Sequence, residues 1–257
     1  MKVSETNYVP GEKGNPILIN ADDFGLDHET NRVVVELLKS DRIQRATLLV
    51  NMPSTKQAVA LAKANNLLPK IGLHINLTDG TPLSNNIKDT RFCQFGVYAV
   101  REVERGTRLH ITRREKKAVE KEVWAQFEKF KELTGQYPKH VDSHRHVHNY
   151  LPFLFVIMRI AQKCHVESMR IGINLYDRKE ASFAKNAYKF VLNSIIKSRF
   201  EHTDYMGAYL EYVDYFDAQQ DKTCEIMVHP TYYGGKLVDI IYDDNEDKTY
   251  YDFDRIR

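Results

Sequence analysis

The 257-residue chain contains only three cysteines, Cys93, Cys164 and Cys224, and no Cys-x-x-Cys pair. An odd number of isolated cysteines supports no disulfide framework and reads as free thiols in a reducing compartment, so a cytoplasmic protein is expected. Long apolar runs are also missing. The longest, Leu151 to Ala161, is interrupted by Arg159, falls short of the roughly 20 residues that cross a bilayer, and reads as a buried helix. The polar extension 1–15, with Pro10, Gly11 and Gly14, lacks the apolar stretch of a secretory signal. Membrane association is not expected. Nor is there an excess of one charge: 37 Lys and Arg stand against 35 Asp and Glu. A nucleic-acid partner, which calls for a basic stripe, is therefore not expected either.

What is present is globular, with 42% hydrophobic and 28% charged residues. The length suits one sizeable core, and a single catalytic domain over 1–257 is expected. No repeat or linker interrupts the chain. Short apolar runs predict strands at Ile17–Asn20, Ala46–Val50, Ile71–Leu77, His140–Ser143, Met169–Ile173, Asp204–Ala208 and Glu225–Val228. Amphipathic stretches predict helices at Asp27–Lys39, from Ser54 through Lys63, and at Arg113–Leu133, Leu151–Lys163 and Ala181–Lys197. Val119, Val123, Phe127 and Phe130 recur at helical spacing in the third of these. The stretch 78–112 has no clear period and reads as a long loop covering the site. Seven strands alternating with helices imply an α/β fold with a parallel sheet. A closed or nearly closed barrel is the leading form, with an open doubly wound sheet as the alternative.

In such barrels the chemistry gathers at the C-terminal ends of the strands. There the sequence places Asp22 and Asp23, then His74, then the tract from His140 to His148, and finally His229. Adjacent Asp22 and Asp23 point to different sides of a strand, so one can bind a metal while the other acts as a base; Asp also suits a helix N-cap. Asp23-Phe24-Gly25 matches a kinase tripeptide, but the rest of that signature is absent. His74 and His229 each read as a ligand or a core histidine. The tract His140-Val141-Asp142-Ser143-His144-Arg145-His146-Val147-His148 holds four of the ten histidines in nine residues, a density that points to metal binding. His144 is the first residue there free to face the rim. Asp142 is placed to hydrogen-bond a ligand histidine, and His146 and His148 are expected in the shell around the ligands. Arg170 reads as a site for an anionic substrate group or as an ion pair. Tyr232 and Tyr233 read as lining a sugar site or as packing residues. The mixed-sign run Arg113 to Lys117 reads as a solvated helix face.

Three blocks appear in order: Ile19-Asn20-Ala21-Asp22-Asp23-Phe24-Gly25, Gly72-Leu73-His74-Ile75-Asn76-Leu77-Thr78 and Gly80-Thr81-Pro82-Leu83. With the His140–His148 tract and Val228-His229-Pro230, they resemble the YdjC-like carbohydrate deacetylases, the family of the chitooligosaccharide deacetylases. The resemblance spans about residues 16 to 235. It implies a distorted TIM-like barrel of the glycoside hydrolase/deacetylase type. It also implies a metal on Asp23, His74 and His144, with Asp22 as general base and His229 as general acid. The implied substrate is an N-acetylated sugar, chitobiose-like and free or phosphorylated, and the implied assembly is a homodimer. Two positions depart from the family pattern: Arg145 stands where Gln or His is expected, and Thr231 where Gly commonly follows the proline. Two imidazoles and a carboxylate suit Zn²⁺, while carboxylate and water ligands also suit Mg²⁺ or Mn²⁺, with Co²⁺ a further candidate. Other metal-dependent hydrolysis, of a phosphoester or another amide, and sugar binding without turnover are the alternatives.

Overall fold

The computed structural model describes residues 17–99, 103, 110–216, 222–242 and 248–256. The extension 1–15 and part of the 78–112 loop lie outside the described residues. Strands β1 (Ile17–Phe24), β2 (Arg45–Leu48) and β3 (Ile71–Ile75) alternate with helices α1 (His28–Lys39) and α2 (Thr55–Ala64). A short helix α3 (Asn85–Lys88) and a hairpin, β4 (Cys93–Gln94) with β5 (Val97–Tyr98), break up the long loop. Then come α4 (Arg113–Thr134), β6 (His140–Ser143), α5 (Leu151–Lys163), β7 (Ser168–Met169), α6 (Phe183–Lys197), β8 (Tyr205–Ala208), α7 (Tyr209–Tyr215) and β9 (Cys224–Val228).

Seven strands form one parallel sheet in the order β7-β6-β3-β2-β1-β9-β8. Its two edges approach each other through a bridge between Ser168 and Glu201 and a bond from Asn174 N to Met206 O at 3.1 Å. The sheet therefore curls into a distorted barrel instead of staying open. The run Met169–Ile173 yields only a two-residue strand, Ser168–Met169. Beyond it, Arg170 N still bonds Val141 O at 3.1 Å, while Asn174 N has turned to Met206. Divided between two neighbours, the segment keeps no regular ladder.

Strand period two decides what fills the barrel. Ile17, Ile19, Ala21, Leu73, Ile75, Val141, Ile226 and Val228 are all buried in the apolar core. Residues of the other parity, Asn20, Asp22, His74, His140, Asp142, Arg170 and Glu225, are buried and polar, and their mutual contacts show that they meet in the lumen. On α4 the apolar face is buried, and Thr112 and Glu115 close a capping box at its start, so the run Arg113 to Lys117 opens an amphipathic helix as its mixed signs imply. The buried Glu122 on α4 accepts from Leu83 N at 3.1 Å and Ser84 N at 2.6 Å, which ties the long loop to the helix.

The C-terminal region was not expected to hold strands. It forms an antiparallel meander of β10 (Pro230–Tyr233), β11 (Lys236–Tyr242) and β12 (Lys248–Asp252). Gly234 and Gly235, at φ 58° and 77°, make the hairpin turn, and Gly-Gly between two aromatic or β-branched runs is the signal that could have revealed it.

Gly72 on β3 faces the lumen, where a Cβ would run into the ring and carbonyl oxygen of His140. Gly72→Ala is expected to destabilise the protein by about 1–3 kcal/mol through overpacking, read as a lower urea midpoint at unchanged m-value. An unchanged midpoint would show that the lumen has room to relax.

Candidate metal and catalytic centre

A cavity of about 630 Å³ opens at the C-terminal ends of the strands. Asp22, Asp23, His74, His144 and His229, the five residues expected to carry the chemistry, all line it. Neither Asp22 nor Asp23 caps a helix: the N-cap of α1 is Asp27, whose Oδ1 accepts from Thr30 N at 2.8 Å. Adjacent strand residues normally face opposite ways. Here Asp23 adopts φ 61° and the β1–β2 register shifts between Ala21 and Phe24. Aspartate tolerates the left-handed region better than most residues, and this irregularity lets both carboxylates reach one cavity. Arg145 and His146 are also left-handed, at φ 48° and 51°, and kink the histidine tract after β6. The kink places His144, Arg145 and His146 on the cavity wall.

Beneath the cavity lies a charge network centred on Arg170, which is only 3% exposed. Its NH1 and NH2 reach the two oxygens of Asp22 at 2.6 Å each, NH2 also reaches Asp142 Oδ2 at 2.8 Å, and Nε reaches Glu225 Oε1 at 2.6 Å. Arg170, read from the sequence as a site for an anionic substrate group or as an ion pair, forms ion pairs here. Its donors are committed to three carboxylates, and it does not line the cavity as a residue meeting an anionic substrate group would. Asn20 Nδ2 adds a bond to Asp22 Oδ1 at 2.8 Å. Burial would raise the Asp22 carboxyl, but the Arg170 guanidinium outweighs it and holds the group well below the usual carboxylate range.

The two imidazoles are held from opposite sides. His74 Nδ1 lies 2.6 Å from Asp142 Oδ1, as expected for Asp142, which Thr47 Oγ1 also bonds at 2.9 Å. His74 Nε2 stands 3.4 Å from Asp23 Oδ1. His144 Nδ1 stands 2.8 Å from the same oxygen. Burial opposes charge on His74, yet Asp142 and Asp22 prevail and raise its pKa to about 10. Burial likewise opposes charge on His144, and Asp23 raises its pKa to about 9.

Asp23, His74 and His144 each offer a ligand atom, all within 4.8 Å of one another. Asp23 Oδ1 is buried without a hydrogen bond of acceptable geometry among the described residues. An oxygen in that state, flanked by two imidazole nitrogens, fits a divalent cation. The neighbouring group Asp22, His74 and Asp142 meets the same distance criterion, but there the Arg170 guanidinium already occupies both carboxylates.

The remaining expected residues separate. His146 faces the cavity, and its Nδ1 has no hydrogen-bond partner among the described residues; burial lowers its pKa to about 3. His148 is turned inward onto Ser143, with Nδ1 2.6 Å from Oγ. No hydrogen bond from either to Asp23, His74 or His144 is seen among the described residues. Tyr232 lies away from the cavity, because its position on β10 directs its hydroxyl to Glu36 on α1 at 3.3 Å. Of the described residues of the 78–112 loop, Asp79 alone lines the cavity. Asp239 was not anticipated. It accepts from His229 N at 2.6 Å, its Oδ2 is buried without a hydrogen-bond partner among the described residues, and burial raises its pKa to about 6. It sits on β11, which had not been foreseen as a strand.

Fold and site together define a (β/α)-barrel protein with an Asp-His-His donor set at the mouth of the barrel. The family described as YdjC-like protein matches residues 16–254, and the chain belongs to that family. Relatives include a carbohydrate deacetylase of Halalkalibacterium halodurans, 31% identical over 84% of this chain and 85% of the relative. A chitooligosaccharide deacetylase of Yersinia enterocolitica is 28% identical over 84% of this chain and 81% of its own length. A carbohydrate deacetylase of Danio rerio is 36% identical, but the match spans 51% of this chain and 42% of that protein. Among solved structures, a protein of Enterococcus faecalis assigned to cellobiose-phosphate cleavage shares the fold, with a TM-score of 0.58 at 21% identity over 84% of this chain and 81% of that one.

Two outcomes are expected. Arg170→Met leaves three buried carboxylates without their cation and should cost about 3–5 kcal/mol, measurable by chemical denaturation; a loss below about 1 kcal/mol would mean the network is not holding the barrel. Burial, with Arg45 and Arg170 beside it, keeps the His140 pKa well below its ordinary value, so the folded state binds fewer protons than the unfolded chain below about pH 6.5. Stability should fall as pH drops from 7 to 5, and His140→Asn should shrink that fall in melting temperature. An equal fall in the variant would remove His140 as its cause.

Proposed function

We propose that the protein is a metal-dependent carbohydrate deacetylase that removes the acetyl group from an N-acetylated, chitobiose-like sugar. The observation that carries this reading is the convergence of Asp23, His74 and His144 with Asp22 and His229 on one cavity. The names of the relatives, carbohydrate and chitooligosaccharide deacetylases, support the substrate class.

In this reading Asp23, His74 and His144 hold a divalent cation, with Zn²⁺ and Mg²⁺ the leading candidates. Bound there, the ion supplies Lewis acidity that polarises the acetyl carbonyl and acidifies a water. Asp22 takes the water's proton. The Arg170 clamp fixes the direction of its oxygens and keeps it ionised, which leaves Asp22 ready to accept a proton but a weak base. His229, across the cavity, donates a proton to the departing sugar amine. Asp239 holds the backbone of His229 in place. The apolar wall of Leu26, Met52, Ile173 and Met227 offers a surface for the sugar and its acetyl methyl. The three cysteines are free and buried, which suits a cytoplasmic enzyme.

The test is acetate release from diacetylchitobiose and its 6-phosphate by protein loaded with Zn²⁺, Mg²⁺, Mn²⁺ or Co²⁺. Asp22→Asn should lower kcat/KM by about 10²–10⁴-fold, the range of a general base, and His144→Ala should abolish metal-dependent turnover. Release of phosphate in place of acetate, or no release from a metal-loaded protein, would overturn the assignment.

A further inference from the structure

We infer that Asp79 is the carboxylate that orients His144, so that His144 offers Nδ1 to the cation and keeps its proton on Nε2. The inference rests on the metal site proposed above. It assigns Asp79 a positioning role and fixes which nitrogen of each histidine meets the ion.

The argument starts from the two rings. Each turns one nitrogen toward Asp23 Oδ1 and the other toward a carboxylate, but with opposite nitrogens. For His74, Nε2 faces Asp23 at 3.4 Å and Nδ1 faces Asp142 at 2.6 Å. For His144, Nδ1 faces Asp23 at 2.8 Å and Nε2 faces Asp79 Oδ2 at 3.1 Å. The two nitrogens of an imidazole point away from each other, so a group beyond Nε2 cannot share an ion bound at Nδ1. Asp79 accordingly stands outside the cluster formed by Asp23, His74 and His144. A ligand histidine almost always donates its other N–H to a carboxylate, carbonyl or water, which sets the tautomer and the ring angle. Asp142 does this for His74 from inside the barrel; Asp79 Oδ2, buried with no hydrogen bond of acceptable geometry among the described residues, stands 3.1 Å beyond His144 Nε2, where it can take the same part from the loop.

Asp79 is also held firmly. Asn76 Oδ1 accepts from Thr78 N at 3.1 Å and Asp79 N at 3.0 Å, while Asn76 Nδ2 donates to Asp79 O at 2.8 Å. Gln126 on α4 pairs with both backbone groups of Asn76, at 3.0 and 2.6 Å. Gly80, at φ 73°, makes the turn that follows. The loop is thus anchored to a helix at the residue that fixes Asp79. Arg145 completes the arrangement: its Nε lies 3.3 Å from Asp79 Oδ2, so the residue that departs from the family pattern sits beside this carboxylate.

The experiment measures Zn²⁺ affinity by competition with a chromophoric chelator for wild type, Asp79→Asn and His144→Ala. Long-range ¹⁵N–¹H spectra of Zn²⁺-loaded wild type report the histidine tautomers. The expected results are an affinity about 10–100-fold weaker for Asp79→Asn, the range for an outer carboxylate, and a His144 signal with its proton on Nε2. Unchanged affinity, or a proton on Nδ1, would overturn the inference. So would a loss as large as that of His144→Ala, because Asp79 would then be a ligand itself. If Asp79→Asn fails to fold, the tautomer in wild type decides alone. Wild type that binds no metal would refute the site, an outcome distinct from wild type that binds metal without regard to Asp79.

Discussion

One guanidinium in the barrel lumen sets the terms for everything above it. Arg170 is buried against Asp22, Asp142 and Glu225, which come from three different strands, β1, β6 and β9. An unpaired ion in such a place would be untenable, and a paired one remains expensive unless its hydrogen bonds are nearly complete. The seven strands must therefore hold a register that brings all three carboxylates to the arginine. The same register presents His74 to Asp142 and Asp22 to the cavity. The charge network below and the donor set above are two levels of one arrangement, joined through Asp142 and Asp22.

The site also depends on backbone conformations that regular elements do not provide. Asp23, Arg145 and His146 all have positive φ, a region that non-glycine residues enter at some energetic cost. Asp23 stands at the irregular end of β1, and Arg145 and His146 just beyond β6; all three side chains line the cavity. Without the irregularity at Asp23, alternation would send one of the two aspartates of β1 to the helical layer. Without the kink at Arg145 and His146, the histidine tract would continue from β6 into α5 with its imidazoles spread around the chain. Positive φ is not confined to the mouth of the barrel, since Asp41, Asn66, Phe95 and His165 adopt it as well, but only at Asp23, Arg145 and His146 does it serve the cavity.

Elements with a strong apolar period were legible in the sequence. His140–Ser143 and Leu151–Lys163 appear with the limits that the pattern predicts, and α4 buries Val119, Val123, Phe127 and Phe130 as expected. Local burial drives these segments, so local pattern reveals them. β7 was misjudged in length because its hydrogen bonds divide between two neighbours, and that depends on how the sheet curls. The meander β10–β12 was missed although Gly234-Gly235 marks its turn and β11 carries the apolar Leu237, Val238, Ile240 and Ile241; its outer strands, with exposed polar and aromatic residues, show little apolar alternation. Asp79 and Asp239 gave no signal, since a lone aspartate in a polar stretch looks the same whether it is solvated or aimed at a histidine.

The sequence by itself determined the alternation of strands and helices, the residues available for chemistry and the ends of the strands where they gather. These follow from side-chain type and period, properties that a short segment carries wherever it lies. Only the tertiary structure decided how those residues are employed. It committed Arg170 to three carboxylates, turned Tyr232 to Glu36, brought His146 to the cavity and sent His148 to Ser143. It also placed Asp79 beyond one imidazole and Asp142 beyond the other. The reason is physical: a charge or an imidazole takes its role from the groups within a few ångströms, and here those groups come from segments far apart in the chain, joined only when the sheet closes.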